Sequence, residues 1–127
     1  MFSYLSSNSS LFVGFCVDPL GMKDRRIADT MISASSNIPE YTTVTARLDG
    51  PRCWAPISDV PLLGAWISVD LSVMRVISGV VIQGQADADS WVTLYQVMYS
   101  EDGPDTDEWE YVLDGNQNAM VRLYAMD

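Results

Sequence analysis

Punctuation is what most limits the folds open to this chain. Short β-branched or aromatic runs recur between Asp-Gly turns: "LDGPR" (48–52), "SEDGPD" (100–105) and "LDGNQN" (113–118). In such turns glycine tolerates positive φ and aspartate bonds its own backbone, so each one ends a run and reverses the chain. The runs "AWISVDL" (65–71), "RVISGVVIQG" (75–84), "SWVTLYQVMYS" (90–100) and "WEYVL" (109–113) are strand candidates, and none keeps a 3.6-residue period. This pattern predicts an all-β sandwich. Upstream, "DRRIADTMISASS" (24–36) allows one helical turn followed by a strand, but its serines and Thr30 favour an irregular entry into strand.

A chain of 127 residues is one domain's worth, long enough to bury roughly two-thirds of its unfolded surface. Apolar residues make up 48%, and no apolar run approaches the ~20 residues of a membrane-spanning helix, so the chain reads as soluble. Seventeen acids face seven bases, a net charge of −10 that repels phosphate backbones and argues against nucleic acid as a partner. Histidine is absent, which removes Ser-His-Asp and Cys-His nucleophile systems, His-ligated zinc and an imidazole proton shuttle. Cys16 and Cys53 are too few for a Cys₄ site and match no CxxC spacing; pairing with each other, with another chain or with nothing all stay open. The opening "MFSYLSSNSSLFVGF" lacks a basic n-region, and "LFVGF" is shorter than the about 7 residues of the briefest secretory h-region, so no signal peptide is read. Asn8-Ser9-Ser10 fits the N-x-[ST] glycosylation pattern, which chance often produces.

In 90–100, Trp91, Thr93, Tyr95, Val97 and Tyr99 share one strand face, and Val92, Leu94, Gln96 and Met98 the other. Both faces are largely apolar, which suits a strand covered on both sides or one offering an apolar strip to a partner.

The ordered motifs "CVDPLGMKDRRIADTMISASS" (16–36), "TARLDG" (45–50), W-x-P at Trp54 to Pro56, "AWISVDL" (65–71), "GVVIQG" (79–84), "DSWVTLYQVMYSEDG" (89–103) and "GNQN" (115–118) resemble the discoidin domain, also called the coagulation factor V/VIII type C domain. That resemblance implies a jelly-roll β-sandwich of the galactose-binding-like class, extracellular and non-catalytic, binding cell-surface ligands through loops at one end. It divides the chain into an N-terminal extension, 1–15, and a discoidin-like domain, 16–127. The family's closing strands and final cysteine have no match in "MVRLYAMD", so the domain is expected to be incomplete at its C-terminal strands, with Cys16 lacking its usual disulfide partner. The strip of Val92, Leu94 and Met98 is then expected either to be covered by "LFVGF" or to serve self-association.

By the same resemblance the first projecting loop is 36–44, where Ile38, Pro39, Glu40 and Tyr41 offer an amphipathic aromatic tip suited to sugar stacking, a membrane interface or a protein pocket. The alternative role for Tyr41 is to cover the end of the sandwich. The second loop, 49–54, carries Arg52, able to pair with a carboxylate or phosphate but more often simply solvated. The third, 83–91, carries Asp87 and Asp89. Alternating aspartates suggest calcium, but a full site needs ~6 to 8 oxygens and the EF-hand pattern is absent, so two solvated acids is the preferred reading and no cofactor is assigned. Cys16, Arg47, Trp54, Trp66, Asp70 and Trp91 are given structural roles, Arg47 and Asp70 through buried or half-buried pairing. Glu101, Asp102, Asp105, Asp107, Glu108 and Glu110 form a solvated acidic rim rather than a carboxylate catalytic pair.

The expectation is therefore a non-enzymatic adhesion module for a cell-surface glycan or protein. The alternatives are a phospholipid-binding module, disfavoured by the loop acids Glu40, Asp49, Asp87 and Asp89, and an accessory carbohydrate-binding domain of a larger secreted enzyme.

Overall fold

The residues described by the computed structural model are 4–7, 18–57, 64–103, 107–113 and 116. Contacts divide the chain into two units, Met1–Ser90 and Trp91–Asp127. In the first lie β1 (Tyr4–Ser7), β2 (Ile32–Ala34), β3 (Ile67–Val69) and β4 (Ile77–Val81); in the second, β5 (Met98–Tyr99) and β6 (Glu110–Tyr111). All pairs are antiparallel: β1 with β4, β2 with β3, β5 with β6. Helical structure among the described residues is confined to two 3₁₀ turns, Asp29–Met31 and Thr43–Thr45.

The organising pair is β2–β3. Its register sets Ile32 against Val69, Ser33 against Ser68 and Ala34 against Ile67, so the apolar residues share one face and the serines the other. Ser33 Oγ and Ser68 Oγ bond at 2.8 Å on the exposed face. Asp70 N to Met31 O (2.8 Å) and Ser35 N to Trp66 O (2.9 Å) continue the ladder at both ends. Beneath it, Ile32 joins Met22 and Ile27 in a buried cluster packed by Leu20, Met31, Ile67, Val69 and Leu71. Each such fully buried aliphatic side chain stabilises the fold by about 1.5–3 kcal/mol.

The "GMKDRRI" loop reaches this cluster by folding back on itself, Ile27 N bonding Gly21 O at 3.3 Å. Gly21 has φ +118°, and a Cβ there would lie 2.5 Å from Arg26 Cβ. Backbone and space both require glycine. Gly21→Ala is expected to cost about 2 kcal/mol and to lower the thermal midpoint by roughly 5–10 °C, read by circular dichroism.

The strand expected in 24–36 is β2, but a 3₁₀ turn rather than the irregular entry leads into it, and β3, β4 and β6 fall inside their expected runs. Residues 90–100 do not form one strand. Only Met98–Tyr99 pairs in a strand, with β6, through Met98↔Tyr111 and Tyr99↔Glu110. Alternation alone does not make a strand without a backbone to bond. The N-terminal extension, in turn, supplies β1, whose pairing to β4 (Tyr4↔Val81, Leu5↔Val80, Ser7↔Ile77) slips between Leu5 and Ser7.

Several structural assignments change. Trp66 is 52% exposed and Trp91 48%, so neither is a core residue; Trp66 contributes through its backbone, which bonds Ser35. Asp70 makes no ion pair among the described residues. Lying just past β3, its Oδ1 turns back to accept Ser72 N at 2.7 Å, where Ser72 has φ 61°. Trp54 and Arg47 are buried. Cys53 is a free, buried thiol, whereas Cys16, Asn8, Asp105 and the "LFVGF" segment lie outside the described residues.

Candidate binding site

Loop 36–44 takes its shape from one proline turn. Pro39 presets φ at the second position of the turn 38–41, which closes by Tyr41 N to Ile38 O at 2.9 Å. The turn is then sewn to the next loop: Ile38 N bonds Ala55 O at 2.9 Å and Ala55 N bonds Tyr41 O at 3.0 Å. Farther down, Trp54 Nε1 donates to Ser36 O (2.9 Å), Ile57 N to Ser36 Oγ (3.1 Å), and Thr45 Oγ1 to the carbonyl of Cys53 (2.7 Å). Loops 36–44 and 49–54 thus stand side by side on a buried indole. At the crest, Arg52 Nη1 lies 3.4 Å from Glu40 O and 3.9 Å from Glu40 Oε2, with both side chains largely exposed.

The third loop closes on itself through Gln85 N to Ser90 O, at 2.8 Å. From its base, Gln85 Nε2 reaches Asp87 Oδ1 at 2.7 Å and Tyr41 Oη at 3.4 Å. One amide therefore ties the third loop to the first. Tyr41 is half-buried with its hydroxyl toward Gln85, while Ile38, Pro39, Glu40, Asp87 and Asp89 are exposed. The geometry gathers an aromatic ring, an amide, carboxylates and one guanidinium on a single surface, groups suited to hydroxyl-bearing or amide-bearing ligands. Asp87 and Asp89 belong to no group of three or more potential metal ligands among the described residues.

Sequence reasoning missed Gln85, although its position two before Asp87 and four before Asp89 was a legible signal. It also missed Asp29, the partner of Arg47. Arg47 Nη1 donates to Met22 O (3.1 Å) and Ile27 O (2.8 Å), and its Nη2 pairs with Asp29. The guanidinium hydrogen bond holds the Asp29 carboxyl below the usual carboxylate range; hydrogen bonds from the Arg26 backbone and side chain do the same for Asp24, and the Lys23 ammonium for Asp49. These shifts run opposite to the one a general acid needs. In the second unit, Tyr99 Oη donates to Glu110 Oε2 at 2.6 Å across the β5–β6 pair, which raises the phenol pKa. Glu101, Asp102, Asp107, Glu108 and Glu110 are exposed, as are Leu94 (53%) and Met98 (40%), with Val92 half-buried.

Residues 31–124 match the family model for the F5/8 type C domain. The chain belongs to this family. It is 39% identical over 111 residues to neuropilin-2 of Rattus norvegicus, covering 78% of this chain and 12% of that protein. Against retinoschisin of Mus musculus the identity is 34% over 113 residues, 81% of this chain and 48% of the relative; against lactadherin of Sus scrofa it is 32% over 100 residues, 69% and 24%. The chain thus spans about an eighth of the neuropilins and about half of the retinoschisins it matches. Membership in the F5/8 type C, or discoidin, family makes it an all-β chain of the β-sandwich class, and the described residues carry only short antiparallel strands.

Proposed function

We propose that this F5/8 type C domain is a non-catalytic, extracellular binding module that recognises a cell-surface glycan or protein through the surface formed by 38–41, Arg52 and 85–89. The observation that carries this reading is the bifurcated reach of Gln85 Nε2 to Tyr41 Oη and Asp87 Oδ1, which supports one continuous surface built from separate loops. A half-buried ring beside exposed carboxylates matches the requirements of a sugar or a polar peptide: an apolar face to stack on, with acceptors around it for hydroxyl or amide donors. Exposed Ile38 would favour a phospholipid surface, but Glu40, Asp87 and Asp89 around it oppose the anionic headgroups that such tips ordinarily meet.

A printed glycan array and cultured-cell monolayers test this reading with the same protein. Tyr41→Ala is expected to weaken binding by roughly tenfold, the worth of one aromatic contact and its hydroxyl. Gln85→Ala should weaken it less, since it frees the ring without deleting it, and Asp102→Asn should leave it unchanged. Equal binding by Tyr41→Ala and the parent chain would remove the tip from the site, and turnover of any arrayed sugar would end the non-catalytic assignment.

A further inference from the structure

The chain has seven Lys and Arg residues and a net charge of −10, yet three of those seven line one pocket. This solvent-open pocket of about 360 Å³ lies between the "GMKDRR" loop and the "LDGPR" turn. Its volume falls within the roughly 300–1,000 Å³ typical of small-molecule sites. Lys23 and Arg25 line it with side chains 63% and 64% exposed, and Arg47 is buried among its lining residues. In the ion pairs among the described residues, two carboxylates answer these three cations, Asp49 on Lys23 and Asp29 shared by Arg25 and Arg47. The Arg47 Nε–H is buried with no acceptor among the described residues. Val44, Leu48 and Pro51 complete the lining with apolar surface.

We propose that this pocket binds a small phosphate or sulfate monoester, its oxyanion held by Lys23 and Arg25 and its organic group resting on Val44 and Pro51. A tetrahedral oxyanion presents several acceptors to a point charge and a planar fork at once, which suits an ammonium and a guanidinium facing the same opening. Lys23 has further N–H groups beyond the one it gives Asp49, and the recorded Arg25 ion pair uses only Nη1. Asp49 is the built-in competitor. Its pair with Lys23 is exposed on both sides, the kind of ion pair that an incoming anion displaces readily. Within a strongly acidic chain, such a local cationic opening draws anions toward itself and away from the carboxylate-rich remainder.

Amide NMR shifts followed at constant ionic strength test the site, with phenyl phosphate, phenyl sulfate and inorganic phosphate as probes. Saturable shifts at Leu48, Asp49 and Gly50 are expected with either ester, and weaker ones with inorganic phosphate. The Lys23→Gln, Arg25→Gln double variant should bind roughly tenfold more weakly, the loss of charge-assisted contacts from exposed side chains. Asp49→Asn should bind more tightly than the parent, a gain that misfolding cannot mimic. Asparagine suits the φ of 56° at that position, so the turn is preserved. Arg75→Gln, which removes an exposed cation outside the lining, should change nothing. Shifts that never saturate, a double variant that binds like the parent, or inorganic phosphate binding as tightly as its phenyl ester would each overturn the assignment.

Discussion

Arg47→Met is expected to destabilise the fold by about 3 kcal/mol, the low end of the roughly 3–5 kcal/mol lost when one partner of a buried ion pair is removed. The low end applies because Asp29, the charge left behind, is itself 36% exposed at its side chain and keeps some hydration. Two further losses add to the effect: the carbonyls of Met22 and Ile27 lose their donor inside the core. Lysine does not rescue, since one ammonium cannot reproduce the fork that serves two carbonyls and a carboxylate. Urea denaturation of Arg47→Met and Arg47→Lys would show both midpoints well below that of the parent.

The same contact sets an acid limit. The carboxyl of Asp29 is lowered in the folded state relative to the unfolded chain, chiefly by the hydrogen bond from Arg47. Its contribution is therefore complete above the ordinary aspartate pKa of about 3.9 and is lost as pH falls through the lower folded value. Denaturation between neutral pH and pH ~3 should show the parent losing stability across the acid end, and Asp29→Asn losing less of it there.

Trp54→Ala should cost as much or more, about 3–5 kcal/mol for an indole that is 7% exposed. Its consequences reach the candidate site, because Trp54 Nε1 holds Ser36 O and Ser36 Oγ holds Ile57 N, the stitches between the first two loops. Trp54→Phe separates the two roles. It keeps most of the apolar volume and gives up the donor, so it should cost about 1–2 kcal/mol while loosening 36–44. Amide exchange at Ile38 and Ala55, whose N–H groups donate to Ala55 O and Tyr41 O across the two loops, is the readout. Protection there unchanged in Trp54→Phe would mean that the proline turn holds the loop without help from the indole.

How much was legible depended on range. Pro39 announces a turn because its ring presets one dihedral, and the turn 38–41 forms as that local chemistry requires. "LDGPR" announces another, but aspartate rather than glycine carries the positive φ: Asp49 sits at 56° while Gly50 lies where a Cβ would come within 3.0 Å of Arg47 O. Dipeptide chemistry located the reversal; packing decided which residue bears the unusual dihedral. The alternation in 90–100 was equally clear and yielded only β5, since strand status depends on a partner backbone and not on the run itself. Trp66 and Trp91, read as structural, are both about half exposed, which no local pattern announces.

From the sequence alone followed the all-β class and the absence of histidine, which reside in residue identity and short-range periodicity, while the discoidin resemblance, and not any local pattern, supplied the family and the candidate loops. Tertiary structure alone decided that Gln85 bridges Asp87 and Tyr41, that Arg47 finds Asp29, and that Lys23, Arg25 and Arg47 meet around one opening. The physical reason is distance along the chain. A hydrogen bond between residues 44 apart, such as Gln85 to Tyr41, leaves no trace in any local window; it exists only after the strands have brought the two loops to the same end.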